Sequence, residues 1–170
     1  MMKGIILHGG HGTRLRPLTH TGPKQLLPIG NKPMSEYCVE ALKDSGITEI
    51  AFVVGGIGSK KVKEYYKNGE KFNVNFSYIE QDSPKGIAHA INLCKDFIGN
   101  EKFVVFLGDN FINMSIKNFV TNFENSSSDA ELLLCEVNNP EQFGIAYLDG
   151  NKISKMVEKP KNPSSNLAIT

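Results

Sequence analysis

Two hydrophobic rhythms alternate along this chain. Short, continuous apolar runs at Lys3–Leu7, Glu49–Val54 and Phe103–Leu107 have the length and β-branched content of buried strands. Between them, apolar residues recur at helical spacing. Met34, Tyr37, Cys38, Ala41 and Leu42 predict a helix that stops at Gly46. Val62, Tyr65 and Tyr66 predict a second, capped by Ser59 and ended by Gly69. Ile87, Ala90, Ile91 and Cys94 predict a third, and Ile116, Phe119, Val120 and Phe123 a fourth with Ser115 near its start. Val74, Phe76 and Tyr78 alternate with polar residues, as in a strand buried on one face. The wholly apolar 103–107 run predicts a central parallel strand covered on both faces. After a polar break at Asn125–Asp129 come a strand over Glu131–Val137 and a hairpin of Ile145–Leu148 and Ile153–Val157 around Asp149-Gly150. Leu167–Ile169 has the look of a further strand.

Repeated strand–helix alternation predicts an α/β fold, a mostly parallel sheet with helices on both faces, in a single domain over 1–170. In such sheets ligands bind at the carboxyl ends of the strands. That rule lines up the Gly9–Arg14 loop, the Gly55-Gly56 turn and the Gly108-Asp109-Asn110 turn on one rim.

Composition narrows the picture. The 170 residues are 40% hydrophobic and 22% charged, with a formal net charge of +1, the balance of a soluble globular protein. Nonspecific nucleic-acid binding would call for a basic excess. No apolar run approaches the ~18–20 residues of a membrane span. Met1-Met2-Lys3 leads straight into a strand, unlike a signal peptide. Cys38, Cys94 and Cys135 lie far apart among apolar neighbours, the pattern of buried thiols in a cytoplasmic protein, not of a disulfide framework or metal site.

The candidate chemistry lies behind the first strand. A glycine-rich loop after a strand exposes backbone N–H groups to a phosphate. This loop also holds the chain's two arginines, Arg14 and Arg16, against 17 lysines elsewhere, which suggests bidentate phosphate recognition. It is not a dinucleotide fingerprint, because Leu15 replaces the third glycine and the second strand ends without an acidic residue. Nor is it a P-loop, which would place Lys-Ser/Thr where Arg14-Leu15 stand. Its lysine arrives later, as Lys24 behind Pro23, with Pro17, Pro28 and Pro33 stiffening the surrounding backbone.

GGHGTRLRPLT at 9–19 followed by PKQLLPIGNKPM at 23–34 resembles the sugar-phosphate nucleotidyltransferases, most closely their glucose-1-phosphate thymidylyltransferase branch. The resemblance continues through EQDSPKGIAHA, the GDN at Gly108–Asn110, Phe143-Gly144, Val157–Pro160 and the terminal SNLAIT. It implies a Rossmann-like fold and transfer of a nucleotidyl group from dTTP, or UTP, to a hexose 1-phosphate such as glucose 1-phosphate, with release of pyrophosphate. The nucleophile would be a phosphate oxygen, already anionic, so no general base is required. Catalysis then rests on charge neutralisation and in-line positioning.

By that resemblance Arg14 and Lys24 are the catalytic cations. Gly9, Gly10, Gly12 and Thr13 cradle the triphosphate, and Gln25, Gln81 and Gly86 serve the nucleotide, with Gln25 favouring thymidylyl over uridylyl transfer. Asp109 would hold magnesium, and Gly144, Glu158 and Lys159 would face the sugar phosphate. Arg16 divides between a ligand contact and a structural ion pair. His8 stands where the family motif has a small residue. His8 and His11 are taken as incidental, His20 as loop surface and His89 as the exposed side of a helix. Family members run on beyond the segment matching Thr170, with a second metal-binding aspartate, so the chain is expected to be C-terminally truncated, as a fragment or as a short product that relies on another chain. A non-catalytic nucleotide- or nucleotide-sugar-binding module of the same fold stays open, as does a homo-oligomer.

Overall fold

The computed structural model describes residues 1–9, 15–20, 22–83 and 85–169. The chain divides into two compact units, Met1–Ser126 and Ser127–Thr170. The first begins with β1 (Lys3–Leu7), passes through a two-residue-by-two-residue hairpin of β2 (Pro28–Ile29) and β3 (Lys32–Pro33), and enters α1 (Met34–Asp44). Then follow β4 (Glu49–Val54), α2 (Ser59–Tyr66), β5 (Asn75–Glu80), the helix pair α3 (Ile87–Leu93) and α4 (Lys95–Ile98), β6 (Phe103–Leu107) and α5 (Lys117–Asn125). Four strands form a sheet in the order β5-β4-β1-β6, every neighbouring pair parallel.

Register explains how this sheet builds a rim. Leu7 lies beside both Val53 and Leu107, and Val53 beside Ile79, so the four strands end nearly level. The ladder runs one residue further: His8 N donates to Val53 O at 2.8 Å, Gly108 N to Leu7 O at 2.9 Å, and Gln81 N to Val54 O at 2.8 Å. Gly9, Gly55, Gln81 and Gly108 therefore leave the sheet along one edge.

The period-2 alternation of strands sorts the core. Ile5, Leu7 and Val53 pack with Ala90, Cys94 and Ile98 of the α3–α4 segment. On the opposite face Phe52 stacks on Tyr66 of α2 with ring centroids 4.5 Å apart, and Gly4 lies against Leu42 of α1. Helices cover both faces, as the alternation predicts.

Three local expectations are corrected. The most buried strand is β4, not β6. Among the described residues β6 pairs only with β1, so within them it is an edge strand and not the central one expected. Ser59 is the first residue of α2 and caps nothing; its hydroxyl donates to Glu80 Oε1 at 2.8 Å. The Ser115 expectation holds, since its Oγ accepts from Lys117 N at 3.3 Å where α5 starts.

In the second unit β7 (Leu134–Glu136), β8 (Gly144–Asp149), β9 (Lys152–Glu158) and β10 (Leu167–Ile169) form an antiparallel sheet in the order β7-β10-β8-β9. β8 and β9 make the hairpin expected around Asp149-Gly150, with Gly150 at φ +58. β7 is shorter than the apolar pattern predicts, because it is a strand only where Leu167–Ile169 of β10 pair with it. Cys135 on β7 is exposed, against the expectation of burial, whereas Cys38 and Cys94 are buried. Among the described residues no helix is long and apolar enough to cross a membrane.

Candidate active site

Lys24 and Gln25 share one helical turn, Lys24–Leu26, which follows Pro23. The turn aims the two side chains differently. Lys24 Nζ makes an ion pair with the Asp109 carboxylate, each side chain about a third exposed. Gln25 is fully buried, and its Nε2 donates to Gly9 O at 2.8 Å, tying the start of the glycine loop to the lysine turn. The Gln25 main-chain carbonyl accepts from Ser35 Oγ at 3.1 Å, and Ser35 Oγ lies 2.6 Å from Tyr66 Oη. Burial pushes the Tyr66 hydroxyl above its ordinary range, so it stays protonated. The lysine turn is thus anchored to α1 and α2.

Asp109 is placed by Gly108. A Cβ on Gly108 would stand 2.8 Å from His8 Cδ2, 3.0 Å from Leu7 O and 3.1 Å from Gln25 Cγ, a gap that only glycine fills. His8 is 3% exposed and meets the Phe52 ring edge-on at 5.0 Å. Burial lowers its pKa from 6.5 to about 3, outweighing the opposing pull of Asp109, and the ring is neutral at physiological pH. Cys38 donates its S–H towards Asn110 O at 3.4 Å. Burial first, and the Asp109 charge second, push that thiol up to about 12, so it is no nucleophile.

At the other end of the rim, Gln81 follows β5, and its Nε2 lies 2.9 Å from His89 Nδ1. Its Oε1 is 3.8 Å from the point a Cβ on Gly9 would occupy. Gly86 opens α3 at φ +95, a backbone conformation for which glycine is suited, and nothing lies within 4 Å of its missing Cβ.

Within the second unit, Gly144 and Glu158 face each other across the β8–β9 ladder. A Cβ on Gly144 would stand 3.1 Å from Glu158 Oε2. Lys159 Nζ lies 3.7 Å from Glu158 Oε1, both side chains largely exposed. Its backbone N donates to Phe143 O at 2.9 Å, at φ +45.

The structure therefore gathers Gly9, Lys24, Gln25, Gln81, Gly86 and Asp109 onto the rim of the parallel sheet, and Gly144, Glu158 and Lys159 at one end of the β8–β9 hairpin. Gly10, His11, Gly12, Thr13 and Arg14 lie outside the described residues. Arg16 is exposed and has no ion pair among the described residues. No cluster of three or more His, Cys, Asp or Glu able to hold a metal occurs among the described residues. Asp109 offers a carboxylate at the rim beside Lys24, which fits a magnesium ion that takes its other ligands from phosphates and water.

Sequence reasoning missed three arrangements. His8 is a core residue, a placement the sequence reading did not give, and the signal was its phase: His8, directly after β1, continues the face of Gly4 and Ile6. His89 is half-buried and bonded to Gln81, not the exposed side of α3. The Gln25–Gly9 tie joins residues with no local pattern between them.

The comparisons with known proteins agree with this geometry. The family model described as nucleotidyl transferase matches residues 3–170. The low-salt glycan biosynthesis nucleotidyltransferase Agl11 of Haloferax volcanii is 47% identical over 99% of this chain and 47% of its own length. A glucose-1-phosphate thymidylyltransferase of Streptomyces griseus is 41% identical over 99% of this chain and 47% of its own. Among solved structures, a Bacillus anthracis protein provisionally named a glucose-1-phosphate thymidylyltransferase, in complex with sucrose, superposes with a TM-score of 0.96 at 44% identity. It is matched over 100% of this chain and 69% of that one. A UDP-glucose pyrophosphorylase complexed with UDP-glucose gives 0.84 at 30% identity over 99% of this chain and 74% of that one. The chain spans about half the length of the curated relatives named above. With the family model covering residues 3–170, the chain belongs to the nucleotidyl transferase family.

Proposed function

We propose that the protein transfers a thymidylyl group from dTTP to glucose 1-phosphate, giving dTDP-glucose and pyrophosphate. The observation that carries this reading is the Lys24–Asp109 pair, a cation and a carboxylate held together at the rim beside Gly9. A phosphate oxygen of the sugar phosphate attacks the α-phosphorus, the new O–P bond forms as the bond to pyrophosphate breaks, and no proton moves. Neither His8, neutral and buried, nor Cys38, held as a thiol, is needed. The work of the side chains is electrostatic. Lys24 exchanges the Asp109 carboxylate for substrate phosphate, and Arg14 neutralises charge on the transferred phosphoryl and the departing pyrophosphate. Gly9, Gly10, Gly12 and Thr13 offer backbone and hydroxyl donors to the triphosphate, with Gly9 set in place by Gln25. Gln81 and Gly86 receive the base. Asp109 would hold magnesium, which supplies further neutralisation of the triphosphate.

On the second unit the bare Cα of Gly144 lets the Glu158 carboxylate approach the backbone, Glu158 accepts from the sugar hydroxyls, and Lys159 pairs with the sugar phosphate. Thymidylyltransferase relatives at 41% identity support the base and the sugar. UDP-glucose pyrophosphorylase, the second solved structure named above, favours uridylyl transfer as the other reading. Both proposed substrates are soluble metabolites, which supports a cytoplasmic setting.

Pyrophosphate release, measured with dTTP, UTP, CTP, ATP and GTP against several hexose 1-phosphates, separates these readings. It is run on this chain and on a longer form matching its relatives' length. Release fastest with dTTP and glucose 1-phosphate is expected. Preference for UTP selects the uridylyl reading, and nucleotide binding without release in either form leaves a binding module.

A further inference from the structure

Gln81 and His89, eight residues apart, are joined across the loop between β5 and α3 by a hydrogen bond of 2.9 Å. The amide nitrogen faces His89 Nδ1, which accepts when the ring carries its proton on Nε2; a ring protonated on Nδ1 would face the amide oxygen instead. A glutamine amide can be turned end for end with almost no change of shape, and only its partners decide which end faces where. Here the NH2 is engaged by His89, and the oxygen stands on the opposite side, 3.8 Å from the missing Cβ of Gly9. Gly86, at the other end of the same loop, leaves open space where a Cβ would be. The loop thus carries an acceptor at one end and open space at the other.

We propose that His89, in the tautomer with its proton on Nε2, is a positioning residue that holds the Gln81 amide with its oxygen towards Gly9, and so selects a pyrimidine whose N3 carries a proton over one whose N3 is a bare lone pair. This rests on Gln81 being the base contact. Thymine and uracil then donate N3–H to Gln81 Oε1. Cytosine would set lone pair against lone pair and leave both groups unpartnered, which costs about tenfold to a hundredfold in affinity.

The test is the ratio of dTTP to CTP affinity, measured by competition calorimetry with the whole chain and magnesium. The wild-type ratio should favour dTTP by about tenfold or more. His89→Leu removes the acceptor and should bring the ratio down towards one. His89→Glu, a side chain that only accepts, should keep it, and His89→Lys, which only donates, should turn the amide and favour CTP. Glu and Lys shift the affinity of both triphosphates through their charge, which cancels in the ratio. Gln81→Ala should abolish selectivity whatever stands at 89. Retention of the wild-type ratio in the Leu and Lys variants, with its loss in Gln81→Ala, overturns the role of His89 and leaves the base contact standing. Selectivity that survives Gln81→Ala, or no dTTP binding at all, overturns both.

Discussion

Lys24–Asp109 and Lys159–Glu158 are the same chemical pair in two settings. The first joins residues 85 positions apart, on side chains only about a third exposed, and each partner is fixed from behind. Lys24 rides on a turn tied to Gly9 and to α1, and Asp109 follows a glycine wedged between His8 and Gln25. The second joins chain neighbours at 3.7 Å, with the lysine 61% and the glutamate 74% exposed, so solvent screens most of their attraction. The difference separates a built charge site from a solvated one. In the first, a ligand must displace a partner already in place, and the geometry is set before it arrives. In the second, both groups are free to turn to a ligand at little cost.

The comparison breaks most readily at Lys24. Lys24→Ala in the longer form should lower turnover by about a hundredfold or more while the unfolding midpoint hardly moves. Turnover within a few-fold of wild type would remove the pair from the chemistry. Next comes the wedge: Gly108→Ala forces a Cβ against His8, Leu7 O and Gln25, and should destabilise the first unit by about 1–3 kcal/mol in urea unfolding. Unchanged stability would mean that the packing behind Asp109 yields easily.

His8 sharpens the same point through pH. Its folded pKa of about 3 lies below the unfolded value of 6.5, so the unfolded chain takes up the proton first. Its contribution is fully present above pH 6.5 and is lost as pH falls towards 3, with a slope of about 1.4 kcal/mol per pH unit. His8→Leu should flatten that acid decline in unfolding measured at pH 7, 6, 5 and 4; equal slopes in the two proteins would contradict a buried neutral ring. The smallest effect belongs to the solvated pair. Lys159→Ala should change stability by less than about 0.5 kcal/mol and raise the KM for the sugar phosphate a few-fold without a matching fall in kcat. A large stability loss there would erase the contrast.

Much of this was legible in the sequence, for reasons that differ by element. β1, β4 and β6 stand where continuous apolar runs place them, and Gly46 and Gly69 follow their helices, because burial and chain reversal act over a few neighbouring residues. The rim followed from topology: parallel strands of matched register must end together. Long-range choices were not legible. Nothing in Phe103–Leu107 says that among the described residues the strand pairs with β1 alone, and nothing near Gln25 says that its amide bonds to Gly9 O. His89 lies on a helix whose spacing alone assigned it to solvent, and only the fold brings Gln81 back to meet it. Motif residues were identifiable by chemistry, whereas their supports were set by tertiary packing.

The central claim is that a sugar-phosphate oxygen displaces pyrophosphate at the α-phosphorus of dTTP. Phosphorus-31 NMR of the longer form with dTTP, glucose 1-phosphate and magnesium follows that bond directly. The account predicts equal amounts of a sugar-nucleotide diphosphate diester and inorganic pyrophosphate, growing as both substrates decline. Hydrolysis of dTTP with glucose 1-phosphate left intact, or bound dTTP that never turns over, would contradict it.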